Sequence, residues 1–353
     1  MKMKRVFIAI ITLFLAVTAL AQPPANYYNS TNGLTGNQLK EALHHVIKGH
    51  TSISYSQIWN AFWSTDNKGD GVVWDMYSDV PNGTPAYVFE MVVNQCGNYH
   101  NEGDCYNREH SWPQSWFNND GTARTDLHHI FPVDGYVNNK RNNYAFGEVR
   151  NASWTSTNGS KLGASKTPGF NGTVFEPIDE YKGDFARAIM YMSVRYYGED
   201  SGWGSSDMTE KSVIKPWAIE LLLKWNKQDP VSQKEIDRNN VIYNDYQHNR
   251  NPFVDNPEFA DRIWDPYWTG MAEPETPSIM VYPNPVPQGG MVHLDLMELN
   301  VDQLRISDLC GKTVLQQAML ESFLLPESLS CGCYNLQLLQ GGRVVTNMKL
   351  LIN

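Results

Sequence analysis

The chain has 353 residues, with 28 lysines and arginines against 38 aspartates and glutamates, so its formal net charge is −10. Apolar residues make up 41% and aromatic residues 12%, which excludes a disordered or collagen-like chain and allows about two domains. The negative charge also excludes proteins that hold nucleic acid by bulk attraction, so a polyanionic substrate would need a local binding site.

The N-terminus has the organisation of a secretory signal peptide. Positive charges at Lys2, Lys4 and Arg5 precede an apolar run, which ends in Ala19-Leu20-Ala21 before Gln22. The apolar run is shorter than the ~20 residues that a membrane-spanning helix needs. We therefore predict a signal peptide at residues 1–21, an exported mature protein and no transmembrane segment.

The main body, residues 22–270, is predicted to be rich in helices. Gly- and Asn-rich clusters at 118–122, 155–161 and 169–173 predict loops. Two short apolar runs, at 72–76 and 87–93, predict strands. Helical spacing of apolar residues predicts five helices, at residues 37–48, 55–63, 184–197, 217–225 and 232–246.

Cysteine is too scarce for a disulfide scaffold. Cys96 and Cys105 lie nine residues apart in a polar, Gly-containing segment, which fits a small disulfide loop in an oxidising compartment. Two free thiols are an equally open interpretation. Cys310, Cys331 and Cys333 lie near the C-terminus, and the spacing of the last two is too short for a zinc knuckle.

The C-terminal part differs in composition and pattern. Residues 271–278 predict a linker, and residues 279–353 alternate apolar and polar positions, which predicts a small all-β, Ig-like sandwich. Three motifs stand out: Val281-Tyr282-Pro283-Asn284-Pro285, Ile306-Ser307-Asp308 with Gly311-Lys312, and Tyr334-Asn335-Leu336 before a final hairpin. With these motifs this part resembles the C-terminal sorting domain of type IX secretion substrates, and a generic β adhesion domain is the alternative. This part departs from the usual pattern at Cys331-Gly332-Cys333.

One segment, residues 107–148, carries candidate chemistry. Glu109 and His110 place a hard oxygen ligand beside an imidazole, and adjacent strand residues share a site only at a strand end or bend. Residues 126–132 form a strand-like run with paired histidines that ends at Pro132. Residues 134–143 predict a short helix with Asp134 as its N-cap.

These residue types suit phosphodiester hydrolysis. An unperturbed histidine pKa of about 6.5 fits a base that takes a proton from water. Mg²⁺ prefers oxygen ligands and retains several waters, so one Glu and one Asn oxygen would leave a local charge of about +1. That charge would hold a phosphate on an acidic protein. The alternative for each motif is structural: packed histidines and an asparagine-rich turn.

The order of these motifs resembles the bacterial endonuclease I family of secreted nucleases, a His-Me finger (ββα-metal) group. The resemblance spans most of residues 30–268, and His129 departs from it where Asn is usual. The matching motifs are Arg108-Glu109-His110-Ser111-Trp112-Pro113, Asp126-Leu127-His128-His129-Ile130-Phe131-Pro132, Gly135-Tyr136-Val137-Asn138-Asn139-Lys140-Arg141-Asn142-Asn143, Lys182-Gly183-Asp184-Phe185-Ala186-Arg187 and Gln247-His248-Asn249-Arg250-Asn251-Pro252-Phe253-Val254.

The resemblance implies a role for each matching residue. His110 would be the general base, oriented by a backbone carbonyl within residues 124–126, while Glu109 and Asn138 would hold Mg²⁺, with Mn²⁺ or Ca²⁺ as alternatives. Arg141 and Arg250 would contact phosphate because a planar guanidinium matches phosphate oxygens. A structural pair with Asp134 or Asp255 is the alternative for these arginines.

The sequence thus predicts an α+β protein with a mainly helical nuclease domain, built around a ββα-metal finger, and a small β sandwich. We expect a secreted, monomeric, metal-dependent endonuclease that cleaves DNA, RNA or both without sequence specificity and meets the secretion machinery through its tail. An RNA-preferring extracellular ribonuclease and a catalytically silent nucleic-acid-binding module are the alternatives.

Overall fold

The computed structural model describes residues 23–265, 280–295, 301–308, 312–341 and 343–353. The described residues form two compact units, the first ending at residue 265 and the second beginning at residue 280. The predicted signal peptide and linker lie outside the described residues and stay predictions. Within the described ranges, no helix is both long and apolar enough to cross a bilayer.

The helices of the first unit largely follow the apolar spacing of the sequence. Four of the five predicted helices are confirmed to within a few residues, as α1, α2, α4 and α5. The fifth begins at α6, where Ser232 and Glu235 form a capping box, but continues beyond Val241 as a π-helical turn. The helices are α1 (Gly36–Ile47), α2 (Gln57–Thr65), α3 (Gly135–Arg141), α4 (Lys182–Arg195), α5 (Pro216–Gln228), α6 (Gln233–Val241), α7 (Pro252–Asp255) and α8 (Phe259–Trp264).

Helix α4 runs through the core of this unit. All of its residues are buried, including the polar ones. Its polar side chains are satisfied by partners from other elements: Arg187 forms an ion pair with Glu235, and the Tyr191 hydroxyl donates to Asp126. A buried helix with paired polar groups therefore joins the segments on which the candidate site is built.

The strands of the first unit form three small sheets. β1 (Tyr106–His110) pairs antiparallel with β2 (Ile130–Asp134). A four-stranded sheet has the order β3-β6-β5-β4, in which β3 and β6 are parallel, and β7 and β8 form a short hairpin. The predicted loops at 155–161 and 169–173 are the turns of this sheet. Its strands and the hairpin are β3 (Ala145–Phe146), β4 (Val149–Thr155), β5 (Lys161–Ser165), β6 (Thr173–Glu176), β7 (Thr209–Glu210) and β8 (Val213–Ile214).

The strands predicted at 72–76 and 87–93 are wrong. Each segment contributes only single bridges, one of which joins Val72 to Glu90. The first segment turns because the Asp75 carbonyl accepts hydrogen bonds from the amides of Ser78 and Asp79. The second turns because the Asn94 amide donates to the Glu90 carbonyl. Local turn bonds therefore prevail over apolar character in both segments.

The two nearby cysteines are joined. Cys96 and Cys105 form a disulfide with a Cα–Cα distance of 5.7 Å, which confirms the predicted loop. The pair lies just before β1, so the crosslink closes the segment that leads into the candidate site.

The described residues of the second unit form an all-β structure, as predicted. One sheet has the order β13-β10-β9 and the other β12-β11-β14-β15, and apolar side chains from both share one buried cluster. The predicted final hairpin is formed by β14 and β15. The Ig-like topology of the whole unit stays a prediction. The strands are β9 (Met280–Tyr282), β10 (Met291–Asp295), β11 (Gln303–Ser307), β12 (Thr313–Ala318), β13 (Ser322–Leu324), β14 (Gly332–Gln340) and β15 (Arg343–Ile352). Cys331 and Cys333 are free thiols, and Cys310 lies outside the described residues.

Candidate active site

Strand β1, which pairs with β2, and helix α3 both contribute side chains to one cleft. His110 is the last residue of β1, so the strand ends there, and both Glu109 and His110 line the cleft despite being adjacent. β2 leads directly into α3, where the Asp134 carboxylate accepts a hydrogen bond of 2.8 Å from the Val137 amide. This confirms Asp134 as the N-cap. Of the strand predicted at residues 126–132, only 130–132 belong to β2. Leu127–His129 form a 3-10 turn instead.

The cleft brings together four of the five candidate site residues. It has a volume of about 360 Å³ and a lining that is mostly polar. The lining residues are Tyr99, Asn107, Arg108, Glu109, His110, Pro113, Gln114, Ser115, Asn138, Asn139, Arg141, Asn142 and Asn143. Arg250 does not belong to this lining.

His110 is held by its Nε2 atom. Nε2 lies 3.1 Å from the Arg124 carbonyl oxygen, which confirms the expectation of a backbone acceptor at residues 124–126. Because a carbonyl only accepts, Nε2 carries the proton and Nδ1 has the free lone pair. The Gln114 amide lies 3.4 Å from Nδ1. Burial, and then the neighbouring His129, lower the pKa of His110 to about 3, so the imidazole is neutral at pH 7.

Glu109 is buried and bound on one oxygen. Tyr77 donates its hydroxyl to Oε1 over 2.9 Å, and Nη1 of Arg141 lies 3.3 Å from the same oxygen. Burial raises the pKa of Glu109, while Arg141 and Tyr77 oppose that increase. Because both contacts fall on Oε1, Oε2 is the oxygen suited to bind a cation.

Asn138 presents its amide in a defined orientation. Its Nδ2 donates to the Asn107 side-chain oxygen over 2.7 Å and lies 3.4 Å from the Arg108 carbonyl. These bonds fix the amide nitrogen and leave Oδ1 as the acceptor atom. In the ranges that the structure covers, no group of three or more His, Cys, Asp or Glu side chains is arranged to hold a metal ion. A cation in this cleft would therefore take few protein ligands and complete its shell with water and substrate, as Mg²⁺ does.

Arg141 serves as part of the cleft wall. It is 1% exposed, and its guanidinium donates to the carbonyls of His110 over 3.2 Å and Ser111 over 2.6 Å. It thereby holds the bend that follows β1 and places a positive charge beside Glu109. Neither Asp134 nor Asp255, the structural partners considered from the sequence, forms the ion pair with Arg141.

Arg250 lies apart from this group. Its guanidinium binds Asp255 through two hydrogen bonds of 2.7 Å and donates to Asn240 over 2.8 Å, and the residue is 2% exposed. The structure therefore favours the structural pair with Asp255 over a phosphate contact for Arg250. A forked guanidinium already saturated by a carboxylate has few donors left for phosphate.

Sequence reasoning missed two residues that contact the candidate site. Tyr77, which binds Glu109, comes from a turn 32 residues earlier in the chain, and no local pattern points to that contact. Gln114 follows His110 by four residues, and its oxygen also accepts a hydrogen bond of 3.2 Å from Nε of Arg124. The polar character of Gln114 itself is the only signal in the sequence that points to this contact.

Comparison with known proteins identifies the first unit. Residues 35–258 match the family model described as Endonuclease I. An extracellular ribonuclease of Bacillus amyloliquefaciens is 42% identical over 259 residues, which cover 70% of this chain and 82% of that protein. The chain belongs to the endonuclease I family. It is therefore a nuclease, an enzyme that hydrolyses phosphodiester bonds.

Other relatives of this family member carry two different names. The extracellular ribonuclease of Bacillus subtilis (strain 168) is 41% identical over 266 residues, or 71% of this chain and 83% of that protein. An endonuclease-1 of Buchnera aphidicola is 31% identical over 130 residues, or 37% of this chain and 46% of that protein.

Residues 280–353 match a secretion system C-terminal sorting domain. The nuclease is therefore secreted or displayed at the cell surface.

Proposed function

We propose that this endonuclease I family member is a metal-dependent, sequence-non-specific endonuclease that cleaves DNA and RNA outside the cell. His110 is the general base, and Glu109 and Asn138 bind the cation. The observation that carries the proposal is the hydrogen bond from His110 Nε2 to the Arg124 carbonyl, because it leaves Nδ1 as the basic atom in a cleft shared with Glu109 and Asn138.

In the hydrolytic step, Nδ1 of His110 takes a proton from water while the water oxygen forms a bond to phosphorus. The bond between phosphorus and one ester oxygen breaks, and that oxygen leaves as a hydroxyl after protonation from solvent. Burial keeps the imidazole neutral before substrate binds. A phosphodiester beside it adds negative charge, which favours the imidazolium as the proton arrives.

A divalent cation fits the donor set of this cleft. Oε2 of Glu109 and Oδ1 of Asn138 are hard oxygen donors, which suit Mg²⁺ and also Mn²⁺ or Ca²⁺. When bound, such a cation supplies positive charge for the phosphoryl and leaving oxygens. The Arg141 guanidinium lies on the Oε1 side of Glu109, so it orients the carboxylate from the side away from the ligating oxygen.

The absence of sequence preference follows from what the cleft offers to a substrate. Its asparagine, arginine and glutamine side chains suit phosphate and sugar oxygens, which are common to all sequences. The relatives named extracellular ribonuclease support RNA cleavage, and the relative named endonuclease-1 supports an endonuclease activity. An RNA-preferring ribonuclease is the second candidate, favoured by the 42% identity to the first of these.

The domain organisation completes the proposal. We propose a signal peptide at residues 1–21, a nuclease domain at 22–270, a linker at 271–278 and a sorting domain at 279–353. In this arrangement the nuclease domain acts as a monomer, and the C-terminal domain engages the secretion machinery.

A digest of plasmid DNA and RNA by the full mature chain tests this function. The reactions contain EDTA, or EDTA followed by excess Mg²⁺, Mn²⁺ or Ca²⁺. We expect cleavage of both substrates with metal and none with EDTA. Cleavage that persists in EDTA would contradict the metal dependence, cleavage of RNA alone would favour the ribonuclease, and binding without cleavage would indicate a silent binding module.

A further inference from the structure

Two arginines beside the cleft differ from the others in the first unit. Residues 23–265 contain nine arginines, and six of them form ion pairs with a carboxylate: Arg141, Arg187, Arg195, Arg238, Arg250 and Arg262. Arg150 is exposed. Arg108 and Arg124 are half-buried and form no ion pair among the described residues. An acidic protein therefore keeps two cations without a carboxylate partner here: Arg108, which lines the cleft, and Arg124, which donates to the lining residue Gln114.

Both of these cations lie against one aromatic ring. The Arg108 guanidinium carbon is 3.6 Å from the ring centre of Tyr55, and that of Arg124 is 4.0 Å from the same centre. Nη1 of Arg108 also donates to the Tyr55 carbonyl over 2.8 Å. The Arg108 guanidinium carbon is 4.5 Å from the ring centre of Trp59. Two fixed like charges repel each other, and an anion bound at the guanidinium edge would relieve that repulsion.

The position of Arg108 relates this anion site to the reaction. Arg108 lies two residues before His110 in β1, and the side chains of both residues line the cleft. The Tyr55 ring, which contacts the Arg108 guanidinium, is also stacked on the His110 ring. The two ring centres are 6.2 Å apart, at an interplanar angle of 25°. Arg108 itself lines the cleft. A phosphate bound there would therefore neighbour the scissile phosphate on the same strand.

Aromatic residues continue away from the cleft beyond Arg108. Tyr55, Trp59 and Trp63 follow each other at steps of four, which places Trp59 and Trp63 about one turn, or 5.4 Å, apart on one face of α2. Trp63 is 53% exposed, and a Cβ atom at Gly71 would lie 3.6 Å from its indole. One part of this indole therefore rests on the backbone while the remainder faces solvent. An exposed aromatic face one helical turn from the Trp59 ring that contacts Arg108 is suited to stack a nucleobase.

We propose that Arg108 binds the phosphodiester next to the scissile one and that Trp63 stacks on an unpaired base of the same strand. A base in a duplex is covered by its neighbours, so the stacking contact selects single-stranded nucleic acid. This inference rests on the proposed nuclease function and adds the substrate class: single-stranded RNA or DNA is preferred over duplex.

Binding of a labelled oligonucleotide in EDTA tests the inference without catalysis. The probes are a fluorescein-labelled 12-nucleotide single strand of mixed sequence and the corresponding duplex. The proteins are the full mature chain, Arg108→Ala, Arg108→Lys and Trp63→Ala. Arg150→Ala is the matched control, because it removes an exposed arginine that does not line the cleft.

We expect the wild-type chain to bind the single strand about tenfold more tightly than the duplex, since stacking on one base accounts for at least that order of preference. Arg108→Ala should weaken single-strand binding about 5- to 30-fold and reduce the slope of log Kd against log salt by about 0.7. Arg108→Lys should retain the salt slope but lose affinity, because the fork is absent. Trp63→Ala should weaken single-strand binding about fivefold or more and leave duplex binding unchanged.

Cleavage kinetics with metal give a second readout. With the single strand as substrate, Arg108→Ala and Trp63→Ala should raise KM more than they lower kcat, because the contacts bind the ground state and transition state alike. Arg150→Ala should behave as the wild type in both assays. Trp63 is exposed, so Trp63→Ala and Arg108→Lys decide the outcome even if circular dichroism shows that Arg108→Ala does not fold.

Two results would overturn the inference. One is single-strand affinity in Arg108→Lys and Trp63→Ala equal to that of Arg150→Ala. The other is equal wild-type affinity for single strand and duplex. A wild-type chain that cleaves nucleic acid yet gives either result refutes this subsite alone, whereas a wild-type chain that does not cleave refutes the proposed function.

Discussion

Two buried carboxylates of the nuclease unit, Asp126 and Glu109, have very different surroundings. Asp126 accepts hydrogen bonds on both oxygens: from Tyr191 and Tyr196 on Oδ2, and from the Gln247 amide and the His128 backbone on Oδ1. The two contacts of Glu109 fall on a single oxygen. A buried carboxylate with both oxygens bound is part of the scaffold, whereas one with an oxygen left toward a cleft is available to a ligand.

The two sites are also connected. Asp126 follows Arg124 by two residues, and the short 3-10 turns Ala123–Thr125 and Leu127–His129 lie on either side of it. The Arg124 carbonyl holds His110, and the Ala123 carbonyl holds His129 over 2.7 Å. Asp126 and the side chains that donate to it therefore stabilise these turns and, through them, the orientation of the proposed base. Glu109 is therefore the carboxylate with an oxygen available to a ligand, whereas Asp126 stabilises the turns that hold His110 and His129.

The largest expected effect is on catalysis, from His110→Ala. Loss of a general base should lower kcat by about 10²- to 10⁴-fold, while the circular dichroism spectrum stays that of a folded protein. Added imidazole should restore part of the rate, because it supplies a base to the emptied position. Unchanged cleavage by the variant would contradict the assignment of His110.

Arg250→Met separates the structural arginine from the cleft. The substitution leaves the buried Asp255 carboxylate without its charged partner, with only Tyr28 and Asn239 still donating to it, and should destabilise the fold by about 3–5 kcal/mol in urea denaturation. The folded fraction should cleave with unchanged kcat. Arg141→Met, which removes the charge beside Glu109, serves as the comparison and should lower kcat. If Arg250→Met is fully folded and its kcat is nevertheless lower than that of wild type, Arg250 takes part in catalysis and the structural assignment is wrong.

Asp126→Asn tests the scaffold and its dependence on pH. Burial raises the pKa of Asp126, but nearby His50, His128 and His129 and the Gln247 amide lower it, and the net direction is down. An acid with a depressed pKa stabilises the fold above its unfolded pKa of about 3.9 and loses that contribution as the pH falls below it. We therefore expect Asp126→Asn to be less stable than wild type by about 2–3 kcal/mol at pH 7.

The measurement is urea denaturation of both proteins at pH 7 and pH 3. The difference between them should shrink at pH 3, because the wild-type carboxylate begins to lose its advantage there. A difference that is independent of pH would show that the stability comes from shape and hydrogen bonding alone. Cleavage by the folded variant should fall less than in His110→Ala, since Asp126 acts only through the turns around it.

How much of this arrangement the sequence reveals depends on distance along the chain. Glu109, His110 and Asn138 lie within one segment whose motifs have a recognisable order, so their placement in one cleft could be predicted. The contact of Tyr77 with Glu109 could not, because a turn in a distant segment creates it. The sheet of β3 to β6 was missed because β4 is largely exposed and carries few apolar residues to alternate. Arg250 matched a motif, yet its local pairing with Asp255 depends on geometry that a motif does not contain.

Tyr77→Phe gives the smallest expected effect and tests the hydrogen bond that orients Glu109. Removing the hydroxyl leaves the tyrosine ring packed against Phe175 and Phe185, so the fold should be retained. A bond to a ligating carboxylate adjusts both its orientation and its charge, and its loss should weaken the apparent affinity for Mg²⁺ about tenfold. The hydroxyl also opposes the burial that raises the pKa of Glu109, so the variant should require a higher pH for the same metal-dependent activity. Mg²⁺ titrations of cleavage at pH 6 and pH 8 measure both effects, and a variant indistinguishable from wild type at both pH values would show that Arg141 alone orients Glu109.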